Sequence, residues 1–389
     1  MFKGILISGL LCTFLSASSF DEFLQEAVKN SPYLESAALA VKQTKEQGDT
    51  LTRYQNPTLG LSVASFTPES GSNDVGYSIN YSQPLRLWGV QKNNKALVRA
   101  NINNTTSSYI QKKASFIRDI SLLFTKYSNS KMLLSLADEE LVIAKKIYDI
   151  SLAQFQNGRI SKGVKLQAQV DYEISENSIN SISLTSMNSY YALLKFAGIT
   201  KELELEDSYN FKITSKENKI NNPNIELLKT EKQQALKEAK VNSKSVKWID
   251  IYAEVESESE QSIVRAGLNL PLTLWSDKSQ EKTIATLQAN RSELLIQNET
   301  NRLNIELTRL KKERKSLLKL IKSNEKILKT ELTLLSIYED GYRIANINLL
   351  QLQDIKNKVI ETKRALILLQ TALNINAIYT NYNQGNYND

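Results

Sequence analysis

Gln83-Pro84-Leu85-Arg86-Leu87-Trp88 returns, at an offset of about 187 residues, as Leu270-Pro271-Leu272-Thr273-Leu274-Trp275. The same offset lays Phe155 on Tyr342, Gly158 on Ala345 and Ile160 on Ile347, and Asn30-Ser31-Pro32 answers to Asn221-Asn222-Pro223. Anchors that keep their order and nearly their spacing mark an internal duplication, so one structural plan is written twice.

The plan follows from the helix breakers. The prolines are Pro32, Pro57, Pro68, Pro84, Pro223 and Pro271, so none occurs from Leu85 to Asn222 or after Leu272. Glycine is scarce in the same stretches, which are rich in Leu, Ile, Lys, Glu and Gln, a composition that favours long helices. In the first stretch the breakers gather at Gly158 to Gly163. Ile117, Ile120, Phe124, Tyr127, Leu134, Leu141 and Tyr148 precede them at helical spacing, and Val164, Ala168, Tyr172 and Ile179 follow. This is a helical hairpin whose arms need partners along their length, as in a coiled coil. The second stretch repeats it, with Leu294, Ile305, Leu317, Leu328 and Leu335 on one arm and Leu352, Ile355, Val359, Leu366 and Leu373 on the other. The lysine-rich run from Lys311 to Lys329 is the solvated face of that coil.

Ahead of each hairpin the pattern alternates: TLGLSVASF at 58–66, GYSINY at 76–81, WIDIYAEVE at 248–256 and VRAGLNL at 264–270. These are two strand pairs. The expected organisation is a leader at 1–19, then a first repeat at 20–205 with strands 58–66 and 76–84 and a hairpin at 90–199. A linker at 206–221 leads to a second repeat at 222–382, with strands 248–256 and 262–271 and a hairpin at 277–380, and a polar tail at 383–389. The fold class is mostly α with a small β part: long helical hairpins plus four strands per chain.

Composition narrows the function. The leader reads from Lys3 through an apolar run ending near Leu15 to Ser16-Ala17-Ser18-Ser19, the order of an export signal cut after Ser19. Cys12 is the single cysteine and lies in that leader behind Leu10 and Leu11, where a lipid-anchor site wants a small residue. Without it, neither disulfides nor thiolate metal sites remain. Histidine is absent, which removes the commonest general base and metal ligand. No catalytic constellation, cofactor motif or metal site is expected. The acidic loop Glu256 to Glu260 is read as solvated, and the net charge of +7 as a solvated surface rather than a nucleic-acid footprint.

No apolar run after the leader is long enough to span a bilayer as a helix, so a membrane-spanning form must use strands. Four strands cannot close a barrel, and open edges do not survive in hydrocarbon. Three copies would supply twelve strands and enclose a lumen. The competing arrangement is a periplasmic coiled-coil adaptor or scaffold without its own channel, its strands forming a compact domain outside the coil.

With these features the chain resembles the TolC-type outer-membrane efflux protein family. The resemblance rests on A-V-K-N-S-P at Ala27 to Pro32, Q-P-L-R-L-W-G at Gln83 to Gly89 and L-P-L-T-L-W at Leu270 to Trp275. F-Q-N-G-R-I-S at Phe155 to Ser161 and Y-R-I-A-N-I-N-L-L at Tyr342 to Leu350 complete it. The resemblance implies a homotrimer with a twelve-stranded barrel in the outer membrane of a Gram-negative bacterium and a helical barrel in the periplasm. It also implies docking to a periplasmic adaptor (membrane fusion) protein and a proton-driven inner-membrane transporter. The compact length and the L-P-L-T-L-W strand end are similar to the heavy-metal-cation efflux branch.

Site expectations follow the alignment. Acidic positions that ring the periplasmic entrance fall on Gln351 and Asp354, so one acid is kept. Phe155, Gly158, Arg159, Tyr342, Arg343, Ala345 and Asn346 are expected at the hairpin tips, where an adaptor docks. Ala345 stands where a tip glycine belongs, with Asn346 beside it able to supply the left-handed residue. Trp88, Trp248 and Trp275 lie at strand ends, where indole rings would anchor in outer-membrane lipid at one membrane face.

Overall fold

A computed structural model describes residues 18–67, 71, 74–214, 221–258, 261–275 and 278–386. Most of the expected leader, with Lys3 and Cys12, falls outside these residues, as do Ser259 and Glu260 of the acidic loop, 215–220 of the linker and 387–389 of the tail. Ser18 and Ser19 belong to the fold. Ser18 pairs with Leu205, and Ser19 caps the first helix through a reciprocal box with Glu22.

The elements are α1 (Phe20–Asn30), α2 (Pro32–Thr52), β1 (Thr58–Phe66), β2 (Asp74–Arg86), α3 (Val90–Gln156), α4 (Lys162–Ala197), α5 (Pro223–Asn242), β3 (Trp248–Ser257), β4 (Ser262–Asn269), α6 (Ser279–Arg343) and α7 (Leu349–Gln384). Helices of 67 and 65 residues, α3 and α6, are possible because no proline interrupts either. Two compact units form, and each takes segments from both halves of the sequence repeat. One comprises residues up to Leu34, Lys113–Asn221 and Leu303 onward; the other comprises Glu35–Lys112 and Asn222–Arg302.

The first unit holds the two hairpins. Its main apolar cluster joins Phe20, Phe23 and Ala27 of α1 to Phe116, Ile120, Phe124 and Tyr127 of α3 and to Leu193, Leu194 and Ala197 of α4. Tyr209 and Phe211 of the following segment pack on it, with ring centroids 4.8 Å and 4.9 Å from Phe20. That segment is tied to α7 through Asn374, which accepts from Phe211 N (3.1 Å) and donates to Tyr209 O (2.9 Å). Helix ends repeat with the sequence: Ser161 and Asn348 are N-caps, and Gly198 (φ 73°) and Gly385 (φ 83°) are left-handed C-caps.

The second unit holds a four-stranded antiparallel sheet in the order β1-β2-β3-β4. The helices beside it include α2 against α3, where Gly48 leaves room for Val98, and α5 against α3 through Asn104 and Gln234 (2.5 Å). Among the described residues no helix is long and apolar enough to cross a membrane.

Candidate functional site

The register of the sheet sorts its side chains. Leu59, Leu61 and Val63 face Tyr81, Ile79 and Tyr77; Ile79 and Tyr81 face Val255 and Ala253; Ile251 and Val255 face Leu268 and Val264. One face is therefore apolar across all four strands, and its large side chains are exposed to solvent in the single chain. The other face carries Ser62 and Ser78, bonded at 2.7 Å, and Asn80, Asp250, Glu254, Glu256 and Arg265. Arg265 reaches Glu256 at 2.5 Å and Glu254 at 3.4 Å. Among the described residues the outer edges of β1 and β4 pair with no strand. Strands of 8 to 13 residues with one lipid-like and one polar face match the length and alternation of membrane barrels.

The strand-end tryptophans separate into two kinds. Trp88 and Trp275 are 95% and 93% exposed, and Leu270, Leu272 and Leu274 beside Trp275 are exposed too. Trp248 instead pairs in register with Arg86 on the polar face, half-buried, with the Arg86 guanidinium 4.7 Å from its ring centre. Arg86 is the pivot of this end. It donates to Thr52 O (2.9 Å), Leu51 O (3.0 Å) and Arg53 O, and also to Gln91 Oε1. It thereby satisfies carbonyls that the C-terminus of α2 leaves open. The sequence motif singled out Arg86, but nothing local shows that its carbonyl partners lie more than thirty residues away.

At the hairpin tips both turns close alike. Gly158 N–H donates to Phe155 O and Arg159 N–H to Gln154 O; Ala345 N–H donates to Tyr342 O and Asn346 N–H to Gly341 O, all at 2.9–3.0 Å. The left-handed residue of the second tip is Ala345 itself (φ 66°), not Asn346. The reason is that the two closing hydrogen bonds fix which residue must turn, and moving the turn by one position would break both. Phe155, Gly158, Arg159, Arg343, Ala345 and Asn346 are exposed. Tyr342 is 2% exposed and points inward, although its repeat partner Phe155 does not. Its hydroxyl bonds Ser151 Oγ (2.8 Å), its carbonyl accepts from Gln154 Nε2 (2.5 Å), and burial raises its pKa above the ordinary tyrosine value.

Behind the tips, Ile147, Ala168, Leu335, Leu349, Leu352, Ile355 and Val359 join the hairpins in an apolar cluster. Inside it lies an unexpected charge. Lys356 is completely buried and bonds both oxygens of Asp171, at 2.7 and 2.8 Å. Gln351 completes the capping box of α7 with Asn348, so its side chain is engaged. Asp354 is exposed and bonds Lys358 Nζ at 2.7 Å, which holds the lysine above its ordinary range. The position aligned with an acidic ring thus bears an ion pair rather than a bare carboxylate. Lys311, Lys315, Lys319, Lys322, Lys326 and Lys329 are exposed along α6. On α4, Leu166, Val170, Ile174, Leu184 and Tyr191 form an exposed apolar stripe opposite the buried Ala168, Ser175 and Leu193.

Residues 23–198 match the family described as Outer membrane efflux protein. No curated protein sequence matches the chain. Among solved structures the chain is similar to CusC, described in terms of transmembrane channel formation, at 15% identity and a TM-score of 0.78, covering 96% of this chain and 93% of that one. The CmeC outer membrane channel of Campylobacter jejuni gives 15% and 0.72, covering 94% and 85%. The outer membrane protein VceC of Vibrio cholerae gives 14% and 0.74, covering 94% and 95%.

Proposed function

We propose that the chain is a TolC-type outer membrane efflux protein, three copies of which join their sheets into a twelve-stranded barrel in the outer membrane. The assembly is then the passive exit duct of a tripartite efflux system, fed by an inner-membrane transporter through a periplasmic adaptor, and no catalysis is assigned to it. The observation that carries this reading is the sheet, whose apolar face is exposed on every strand while both edges are unpaired among the described residues. A face of that kind in water, beside unsatisfied edges, is an aggregation hazard; in lipid, closed by neighbouring copies, it is a wall. The exposed stripe on α4 gives the hairpin unit a matching surface for a neighbour. A coiled-coil adaptor would have no use for a lipid-like sheet face.

Detergent extraction from outer-membrane fractions as a heat-sensitive trimer is the expected behaviour. A monodisperse monomer in detergent-free buffer would refute the proposal. At the tips, Phe155, Gly158, Arg159, Arg343, Ala345 and Asn346 form the adaptor-docking surface, supported from beneath by Tyr342. Gln351 and Asp354 line the periplasmic entrance, and Trp88 and Trp275 lie at the membrane boundary. The proposed cargo is metal cations or small molecules, and growth of a deletion strain on metal ions against lipophilic drugs separates the two.

A further inference from the structure

The two ends of the sheet carry opposite charge. At the end carrying the β1–β2 and β3–β4 connections, the described ionisable groups are Asp74, Glu254, Glu256 and Glu258 against Arg265. At the helical end Lys92, Lys95, Arg99, Lys240, Lys244 and Lys247 outnumber the acids Asp49, Glu238 and Asp250, and none of these cations pairs with an acid among the described residues. Three elements bring these cations together. Asn93 of α3 donates to Lys240 O at the end of α5 (3.4 Å), and Leu87 N–H donates to Lys247 O (3.1 Å). That second bond extends the β2–β3 ladder past Arg86 and Trp248, which places Lys247 in register with the apolar face. Lys92, Lys95 and Arg99 line one open groove of about 430 Å³ with Gln91 and Ala96. Trp88, four residues before Lys92, leaves its ring almost wholly exposed, as does Trp275.

We propose that this basic collar binds the phosphate headgroups of anionic phospholipids, with the Lys92–Lys95–Arg99 groove seating one headgroup. The inference rests on the reading that the sheet spans a bilayer. Unpaired cations beside exposed indoles, at the rim of an apolar face, suit the headgroup layer: the rings lie among glycerol and upper acyl carbons while the ammonium groups reach phosphate. The acidic opposite end would repel the same lipids, so the preference belongs to the leaflet at the helical end. Each cation near a charged bilayer surface contributes about fivefold in binding.

The test places the purified full-length trimer in nanodiscs of phosphatidylcholine mixed with phosphatidylglycerol and measures lipid retained after gentle detergent extraction by native mass spectrometry. The wild-type trimer is expected to enrich phosphatidylglycerol about tenfold or more over the bulk mixture, with the enrichment falling as salt shortens electrostatic range. The K92Q/K95Q/R99Q variant should lose most of it, while K311Q/K315Q/K319Q on α6, with the same charge loss, should keep it. Equal retention of the two lipids by the wild type, or unchanged enrichment in the groove variant, overturns the site. Changed ion selectivity in bilayer conductance with lipid retention intact would place these side chains along the conduit and also overturn it. If the wild-type chain does not enter nanodiscs at all, the membrane reading fails together with the lipid site.

Discussion

Lys356 and Asp171 offer a sharp test of how the two hairpins are held together. The Lys356 side chain keeps 1% of its surface exposed and the Asp171 side chain 23%, so the partners differ in their access to water once separated. Removing one member of a buried pair costs about 3–5 kcal/mol, because the remaining charge stays desolvated. Lys356→Met leaves a carboxylate that can recruit water at its exposed side, which places the cost near the lower end, about 3 kcal/mol. Asp171→Ala leaves an almost wholly buried ammonium and loses both short hydrogen bonds, which places the cost higher, at about 4–5 kcal/mol. The joint replacement Lys356→Met with Asp171→Leu removes both charges and should be milder than either single change. Hydrogen exchange of the α4 and α7 amides around Ala168 and Val359 reports the local opening free energy directly. The reverse ranking of the single variants, or a double variant as unstable as the worse single one, would refute the reasoning.

Ala345→Gly should raise tip stability by about 1 kcal/mol by relieving a left-handed alanine, and Gly158→Ala should lower it by a similar amount, both read by hydrogen exchange at the turns. Arg86→Gln removes donors from three carbonyls at the end of α2, of which Thr52 O and Leu51 O keep bonds from Gln91 and Asn94, and should cost about 1–2 kcal/mol, with the dissociation temperature of the trimer in detergent shifting downward. Gly385→Ala should be more damaging than a helix-end glycine change usually is, because the new Cβ meets the Asn221 carbonyl at positive φ; thermal unfolding measures it. Burial pushes Tyr127 and Tyr209 up to about 12. Their neutral forms therefore stabilise the fold fully below the unfolded tyrosine value near 10, and this contribution is lost as pH rises towards about 12. An unfolding midpoint followed through that window should fall less steeply in Tyr209→Phe.

Much of the architecture could be read from the chain because its signals are local and are written twice. Proline and glycine placement sets where helices stop, and the offset of about 187 residues recurs physically in Gly158 and Ala345, Ser161 and Asn348, and Gly198 and Gly385. Strand alternation already implied an apolar and a polar face, since period two is a property of the strand itself. The repeat puts Ala345 at the tip opposite Gly158, but side-chain preference points to Asn346 for the left-handed geometry, whereas the closing hydrogen bonds assign it to Ala345.

What sequence alone could not supply is every relation between distant segments. That Phe155 is exposed and Tyr342 buried breaks the symmetry of the repeat, and only packing against Ser151 and Gln154 decides it. The same holds for Trp248, which strand register sends to the polar face under Arg86, and for Lys356, which reads as one more solvated lysine until Asp171 is brought 185 positions along the chain to meet it. Periodicity and breakers are encoded within a few residues of one another, so they survive in a linear reading. Register between strands, burial of a charge and the choice of partner depend on which surfaces meet, and only the folded chain determines that.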